Sequence, residues 1–187
     1  MKKGKIYVVS GPSGVGKGTI VRKLIEDYDN IALSVSATTR SPRSGEIDKV
    51  HYFFITKDEF TDIINKDGFI EYAEYCGNFY GTPKAAVYEK LEQGIDVILE
   101  IEVQGGIQVM EKFPEACGIF ILPPSMAVLE KRLRGRQSED EETIQKRLKT
   151  AKEEMSKVSL YDCFVVNGPI EKAVEDVAEI ILKNRDQ

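Results

Sequence analysis

The chain has no tryptophan, one histidine and three cysteines in 187 residues. Cys76, Cys117 and Cys163 form no CxxC pair, and an odd number of distant cysteines is typical of reduced, buried thiols rather than of a disulfide or a zinc site. His51 is the one histidine of the chain, which argues against a multi-histidine metal centre and against a Ser-His-Asp triad elsewhere. We therefore expect His51 to be structural.

Long hydrophobic runs are also missing. No apolar run exceeds four residues, and Ile119 to Leu122 is an example, whereas a membrane-spanning helix needs about 20. The segment Met1 to Gly4 leads into a strand rather than into the apolar region of a signal peptide. We therefore expect a cytoplasmic protein that does not bind membranes.

The charge balance argues against nucleic acid as a partner. The net charge is −5, which disfavours non-specific binding to DNA or RNA, although it leaves room for a local cationic pocket. A composition of 42% hydrophobic and 30% charged residues is ordinary for one compact domain. The sequence does not determine the oligomeric state, and a homo-oligomer is compatible with it.

Strand and helix patterns alternate along most of the chain. Most strand segments adjoin a stretch with apolar residues at helical spacing, which predicts parallel βαβ units and a three-layer α/β fold with a parallel central sheet. Two of the segments are apolar without alternation, as strands covered on both faces are. The predicted strands are Ile6 to Val9, Ile31 to Ser36, Ile95 to Ile101, Gly118 to Leu122 and Cys163 to Val166.

Two stretches depart from this alternation. Residues 37–83 carry short aromatic strands around one helix that is predicted to begin near Lys57, so we interpret them as an inserted subdomain. Residues 125–147 are rich in lysine and arginine, and we interpret them as a lid. Ser138 and Glu141 have the spacing of a capping box, which predicts a helix start with Ser138 as its N-cap. The core would then comprise residues 1–36, 84–124 and 148–187 of a single domain.

The segment between the first strand and the first helix satisfies the pattern GxxxxGK. Glycines at these positions let backbone N–H groups turn inward around phosphates, and the lysine reaches the terminal phosphate oxygens. The helix N-terminus adds partial positive charge. The expected phosphate-binding residues are Gly11, Pro12, Ser13, Gly14, Val15, Gly16, Lys17, Gly18 and Thr19.

Gly18 stands where this pattern usually has the serine or threonine whose hydroxyl binds Mg²⁺. Either Thr19 takes over that role, or Mg²⁺ is held mainly by nucleotide phosphates and water. Glu100 and Glu102, at the end of the next core strand, are further candidates, and the sequence does not decide which of them contacts nucleotide or metal.

The whole chain resembles the guanylate kinases, the ATP:GMP phosphotransferases among the P-loop nucleoside monophosphate kinases. The most family-specific string runs from Ser34 to Glu46, and the lid string from Lys131 to Arg136 also matches. Further matches are the phosphate loop, Phe69 to Tyr72, Gly77 to Thr82 and Ile98 to Gly105. The resemblance implies ATP and GMP as substrates, Mg²⁺ as cofactor, a P-loop NTPase fold and an insert that binds the nucleoside monophosphate.

The same resemblance assigns roles to individual residues. Arginine suits the capture of a phosphate dianion, and a carboxylate suits the adjacent N1–H and N2–H₂ donors of guanine. The catalytic residues would be Lys17, Arg43, Arg136 and Arg147, with Arg132 and Asn167 added to the ATP site. The GMP site would comprise Ser36, Arg40, Arg43, Tyr52, Glu71, Tyr80 and Thr82, together with Glu100 and Glu102.

Two other functions remain open at this point. Guanylate-kinase-like domains of scaffold proteins bind proteins and have a degraded phosphate loop, whereas this chain keeps Gly16 and Lys17. A kinase with another nucleotide or a phosphosugar as acceptor would lack convergence of Glu71, Ser36 and Thr82 on guanine.

Overall fold

The computed structural model describes residues 2–75, 77–135 and 140–185. In them the α-helices are α1 (Lys17–Asp27), α2 (Lys57–Asn65), α3 (Lys84–Glu92), α4 (Val103–Lys112), α5 (Met126–Arg134), α6 (Glu141–Met155) and α7 (Ile170–Arg185). The strands are β1 (Ile6–Ser10), β2 (Ile31–Leu33), β3 (Ala37–Thr38), β4 (Phe53–Phe54), β5 (Phe69–Tyr75), β6 (Asn78–Pro83), β7 (Asp96–Glu100), β8 (Cys117–Leu122) and β9 (Cys163–Val166).

The central sheet has five parallel strands in the order β2-β7-β1-β8-β9. Every residue of β1 is buried, because α1 and α7 pack on one face of the sheet and α3 and α4 pack on the other. This arrangement confirms the three-layer α/β fold. Since the strands are parallel, their carboxyl ends share one edge, where the glycine loop after β1 lies beside Glu100 at the end of β7.

A second sheet, in the order β4-β3-β6-β5, forms within residues 37–83 and has its own small core. The ring of Phe60 on α2 stacks on Phe69 at 4.4 Å and on Phe79 at 5.4 Å between centroids. Helix α2 begins at Lys57, as the sequence predicts, behind a capping box formed by Thr56 and Glu59.

The start of α6 differs from the prediction. Its N-cap is Asp140, whose carboxylate accepts a hydrogen bond from the N–H of Thr143 at 2.8 Å. The prediction of Ser138 as N-cap is therefore wrong, and Ser138 itself lies outside the described residues. Aspartate caps a helix as well as serine does, and its charge complements the helix dipole. Glu141 instead forms an ion pair with Arg134.

The second predicted strand is also shorter than expected, because β2 ends at Leu33. Within the described parts of the chain, no helix is long and apolar enough to cross a membrane.

Candidate active site

The glycine loop wraps tightly between β1 and α1. Gly14 and Gly16 have φ of 85° and 102°, a backbone conformation that favours glycine. Gly16 precedes α1 and provides no side-chain cap, so N–H groups of the first helical turn remain available to an anion. Lys17 is buried, and its ammonium donates to the carbonyl of Gly11 at 2.6 Å.

One carbonyl in the loop, that of Val15, accepts hydrogen bonds from two distant side chains. Arg132 of α5 donates to it at 2.9 Å and the amide of Asn167 at 2.8 Å. Arg132 also donates to the carbonyl of Asn167 at 2.9 Å. Asn167 is 4% exposed and its Oδ1 has no hydrogen-bond partner among the described residues. In this structure both side chains expected at ATP therefore hold the backbone of the loop.

A second arginine from residues 125–147 also contacts the loop. Arg147 of α6 donates to the hydroxyl of Ser13 at 2.7 Å. Arg136, the other arginine of this segment that the sequence predicts to be catalytic, lies outside the described residues. Lys131 and Arg134 are exposed, and Arg134 pairs with Glu130 and Glu141.

Three carboxylates lie in the region of the Lys17 ammonium group. Glu100 ends β7, Glu102 precedes α4, and Glu154 lies two turns after Arg147 on α6. Burial raises the pKa of Glu100, and nearby Lys17 partly opposes that rise. Burial and then the charge of Glu102 raise the pKa of Glu154. Sequence reasoning missed Glu154, although its spacing of seven residues from Arg147 places both on one helical face.

The side-chain oxygens near the loop determine which metal ion could bind there. A Cβ added at Gly18 would lie 3.4 Å from a carboxylate oxygen of Glu100, so this carboxylate faces the position of the absent hydroxyl. Thr19, the next residue in the first turn of α1, is exposed. Across residues 2–75, 77–135 and 140–185, no three His, Cys, Asp or Glu side chains are grouped so as to hold a metal. Oxygen donors of this kind fit Mg²⁺ that keeps water and phosphate ligands.

An arginine just after β3 is fixed in place by a carboxylate. The guanidinium of Arg40 makes two hydrogen bonds of 2.6 Å to Glu46 and lies 5.0 Å from the ring centroid of Tyr52. Glu46 also accepts the backbone N–H of Arg43 at 2.7 Å, while the rest of Arg43 is exposed. These contacts lower the pKa of Glu46 to about 2. Tyr80 stands edge-on to Tyr52 at 6.2 Å, so the structure brings the expected phosphate-binding side chains together.

Sequence reasoning gave Glu46 no role. Its spacing, six residues after Arg40 and three after Arg43, was the signal for a turn closed by a carboxylate.

Glu71 lies at the edge of the same sheet, next to β6. The hydroxyl of Thr82 donates to its Oε1 at 2.7 Å, and Thr82 is fully buried. Burial raises the pKa of Glu71, and the hydrogen bonds from Thr82 oppose that rise. Ala37 pairs with Gly81 in the antiparallel register of β3 and β6, which places Ser36 opposite Thr82. Glu71 and Thr82 thus lie on neighbouring strands, and Ser36 directly precedes β3 beside them.

Three residues outside these clusters also have defined places. His51 is exposed, and its Nδ1 accepts the backbone N–H of Ile47 at 3.0 Å, which is a structural role in a turn. Cys117 is buried and Cys163 is partly buried, and both are free thiols.

Comparisons with known proteins agree with this geometry. A guanylate kinase family model matches residues 3–184. A guanylate kinase of Prochlorococcus marinus (strain NATL2A) is 53% identical over 93% of this chain and 94% of its own length. One of Clostridioides difficile (strain 630) is 50% identical over all of this chain and 91% of its own. The crystal structure of guanylate kinase from Anaplasma phagocytophilum superimposes with a TM-score of 0.77 at 35% identity, covering all of this chain and 88% of the other. The chain therefore belongs to the guanylate kinase family.

Proposed function

We infer that this chain catalyses ATP-dependent phosphorylation of GMP, giving ADP and GDP, and so acts in purine nucleotide metabolism. The observation that carries this inference is the pairing of two sites: an intact phosphate loop around Lys17, and a buried carboxylate, Glu71, in an insert that also carries Arg40. A protein-binding module has no use for this combination.

ATP would lie with its β and γ phosphates in the loop. The N–H groups before and within the first turn of α1 face this space, and the dipole of α1 favours a negative ligand there. On nucleotide binding, the ammonium of Lys17 would exchange the Gly11 carbonyl for phosphate oxygens. Arg132 and Asn167 would then contribute by holding the Val15 carbonyl, in addition to any contact with the nucleotide.

GMP would lie in the insert. Arg40 and Arg43 would bind its phosphate, with the hydroxyls of Tyr52 and Tyr80 as further donors. Glu71 would accept the N1–H and N2–H₂ groups of guanine beside Ser36 and Thr82. Adenine presents an acceptor at N1 and would leave the buried carboxylate unpaired, which is how a polar site rejects an analogue by a factor of about 10⁴.

Phosphoryl transfer needs no protein nucleophile. A phosphate oxygen of GMP attacks the γ phosphorus in line, the bond to the β-phosphate oxygen breaks, and ADP leaves. Lys17, Arg43 and Arg147 would stabilise the charge on the equatorial oxygens, and we assign Arg136 to the same task. Closure of a lid formed by residues 125–147 over the insert 37–83 would exclude water and so suppress ATP hydrolysis.

Mg²⁺ bound with ATP would neutralise phosphate charge and orient the β and γ oxygens. Glu100 is the carboxylate best placed to hold water molecules of this ion, because it faces Gly18, and Thr19 is the neighbouring hydroxyl. Glu102, the residue directly before α4, is the second candidate. A cytoplasmic location remains a prediction, and a homo-oligomer is compatible with the sequence.

A coupled assay of ADP formation tests the proposal. Wild type and Lys17→Ala are each given MgATP with GMP, AMP, UMP or no acceptor. Turnover with GMP alone, lost in Lys17→Ala, is the expected result. Turnover that is fastest with another acceptor would contradict the role of Glu71, and no turnover by a folded wild-type protein would indicate a binding module instead.

A further inference from the structure

Two consecutive glycines in the first turn of α4 have different surroundings. A Cβ added at Gly106 would lie 2.3 Å from the hydroxyl oxygen of Tyr161 and 2.6 Å from that of Ser10. Close packing therefore explains why residue 106 has no side chain. A Cβ at Gly105 would meet nothing nearer than 4.0 Å, so packing within the protein does not explain the glycine there.

Backbone conformation does not explain Gly105 either. The glycines with positive φ are Gly11, Gly14, Gly16, Gly45, Gly77 and Gly94, and Gly105 is not one of them. Glycine is among the poorest helix formers, and alanine is the best. At residue 105 the sequence thus has a helix-weakening residue where this protein's own structure would accept alanine.

One of the two atoms nearest to the missing side chain belongs to the proposed base site. A Cβ at Gly105 would lie 4.0 Å from Oε2 of Glu71 and 4.0 Å from Cδ1 of Ile101. The other carboxylate oxygen of Glu71 is engaged by the hydroxyl of Thr82. The oxygen that faces Gly105 is thus the one left to accept donors from a ligand.

Glu71 also borders a cleft. A cleft of about 370 Å³ separates β5 and α2 from α4, and its walls include Glu71, Gln108 and Lys112. Gly105, Gln108 and Lys112 follow one another at spacings of three and four residues, so they lie on one face of α4. Gln108 and Lys112 line the cleft, and Gly105 lies one turn before Gln108 on the same face.

We propose that Gly105 is a specificity-determining residue for the acceptor nucleotide. Its missing side chain keeps open the space beside Oε2 of Glu71, where the N–H donors of guanine meet the carboxylate. The proposal rests on the proposed function and deepens it, because it assigns one wall of the acceptor-base site to α4 rather than to the insert.

The steric argument gives opposite signs for stability and for acceptor binding. A methyl group at residue 105 meets no protein atom closer than ordinary van der Waals contact, and it improves helix propensity. The same methyl group would occupy room that the base needs against Glu71. Gly105→Ala should therefore melt at the same temperature as wild type or higher, yet bind GMP more weakly.

The test compares wild type, Gly105→Ala, Gly105→Leu and the control Glu111→Ala, which changes an exposed residue near the end of the same helix. For each protein we would measure the melting temperature without ligand, KM for GMP, KM for ATP and kcat. The expected result for Gly105→Ala is a KM for GMP raised about tenfold or more, with KM for ATP within twofold of wild type. Gly105→Leu should raise KM for GMP further, and Glu111→Ala should change neither constant.

Three results would overturn the proposal. The first is an unchanged KM for GMP in both Gly105→Ala and Gly105→Leu. The second is a fall in kcat with no change in KM for GMP, which would assign Gly105 to closure rather than to the base. The third is a lower melting temperature of Gly105→Ala with an equal loss for ATP and GMP, which would make residue 105 structural. If wild type itself does not phosphorylate GMP, the proposed function fails; if it does, these results judge Gly105 alone.

Discussion

Arg132 and Asn167 donate hydrogen bonds to the same acceptor, the carbonyl of Val15. They come from α5 and from the segment between β9 and α7, so the shape of the phosphate loop depends on elements far from it in sequence. Arg132 also links Val15 to Asn167, because its second guanidinium nitrogen donates to the carbonyl of Asn167.

Arg132→Lys should weaken ATP binding. Lysine keeps the charge but cannot present the planar fork that reaches both carbonyls, and a lost hydrogen bond to a charged group is worth about 2 kcal/mol. We expect KM for ATP to rise by a factor of about 10 to 30, with a smaller change in KM for GMP. Lys131→Ala, at the exposed neighbouring position, is the control. Equal ATP affinity in Arg132→Lys and wild type would show that one amide from Asn167 is enough to hold the loop.

Glu71→Gln should lose preference for GMP, because the amide offers one acceptor and one donor where guanine presents two donors. We expect kcat/KM for GMP to fall at least about 100-fold, and the values for other acceptors to change much less. Steady-state kinetics with GMP and AMP would check this. Equal losses for both acceptors would indicate that Glu71 is not reading the base.

The same carboxylate predicts a pH dependence of GMP binding. Burial raises the pKa of Glu71, so its charge is lost as the pH falls through a value above the ordinary range, and KM for GMP should rise there. The fold should not weaken from this group, because a raised folded-state pKa favours the folded protein as the pH falls. Titration of the GMP phosphate affects wild type and Glu71→Gln alike. The ratio of their affinities between pH 8 and pH 5 therefore isolates Glu71, and a constant ratio would contradict its role.

Glu46→Ala should impair GMP binding without unfolding the insert. Glu46 fixes the Arg40 guanidinium and the Arg43 backbone, so its removal should raise KM for GMP about tenfold. Its pKa of about 2 keeps this pair charged across the pH range of the Glu71 test. Glu74→Ala, at an exposed position of the same subdomain, is the control. A lower KM for GMP would instead mean that Glu46 competes with the phosphate for Arg40.

Gly106→Ala should destabilise the protein by about 1–3 kcal/mol, because the added methyl group forces Tyr161 and Ser10 apart. The hydroxyl of Tyr161 donates to the carbonyl of Val103 at 3.0 Å, and that bond would be disturbed as well. Urea unfolding of Gly106→Ala and Gly105→Ala, measured in parallel, should show a loss of stability in Gly106→Ala alone. Equal stability of the two variants would contradict the packing described here.

Much of the fold could be predicted from local patterns. The parallel strands are predictable because each is apolar without alternation or rich in β-branched residues. The loop is predictable because its glycines and Lys17 follow a fixed spacing. Helix ends were less certain, since Ser138 and Asp140 are both good N-caps and only one of them starts α6.

What the sequence by itself determined is the chemistry that the chain carries: a phosphate loop, arginines suited to phosphate, a carboxylate suited to guanine and the alternation of strands and helices that brings them to one edge of a sheet. Only the tertiary structure decided which partners these groups have. Three of these contacts involve residues from different elements. They are the hydrogen bonds from Arg132 and Asn167 to Val15, the hydrogen bond from Thr82 to Glu71, and the approach of Gly105 to Glu71. Such contacts depend on how the elements pack, and local periodicity describes only neighbours within one helix or strand.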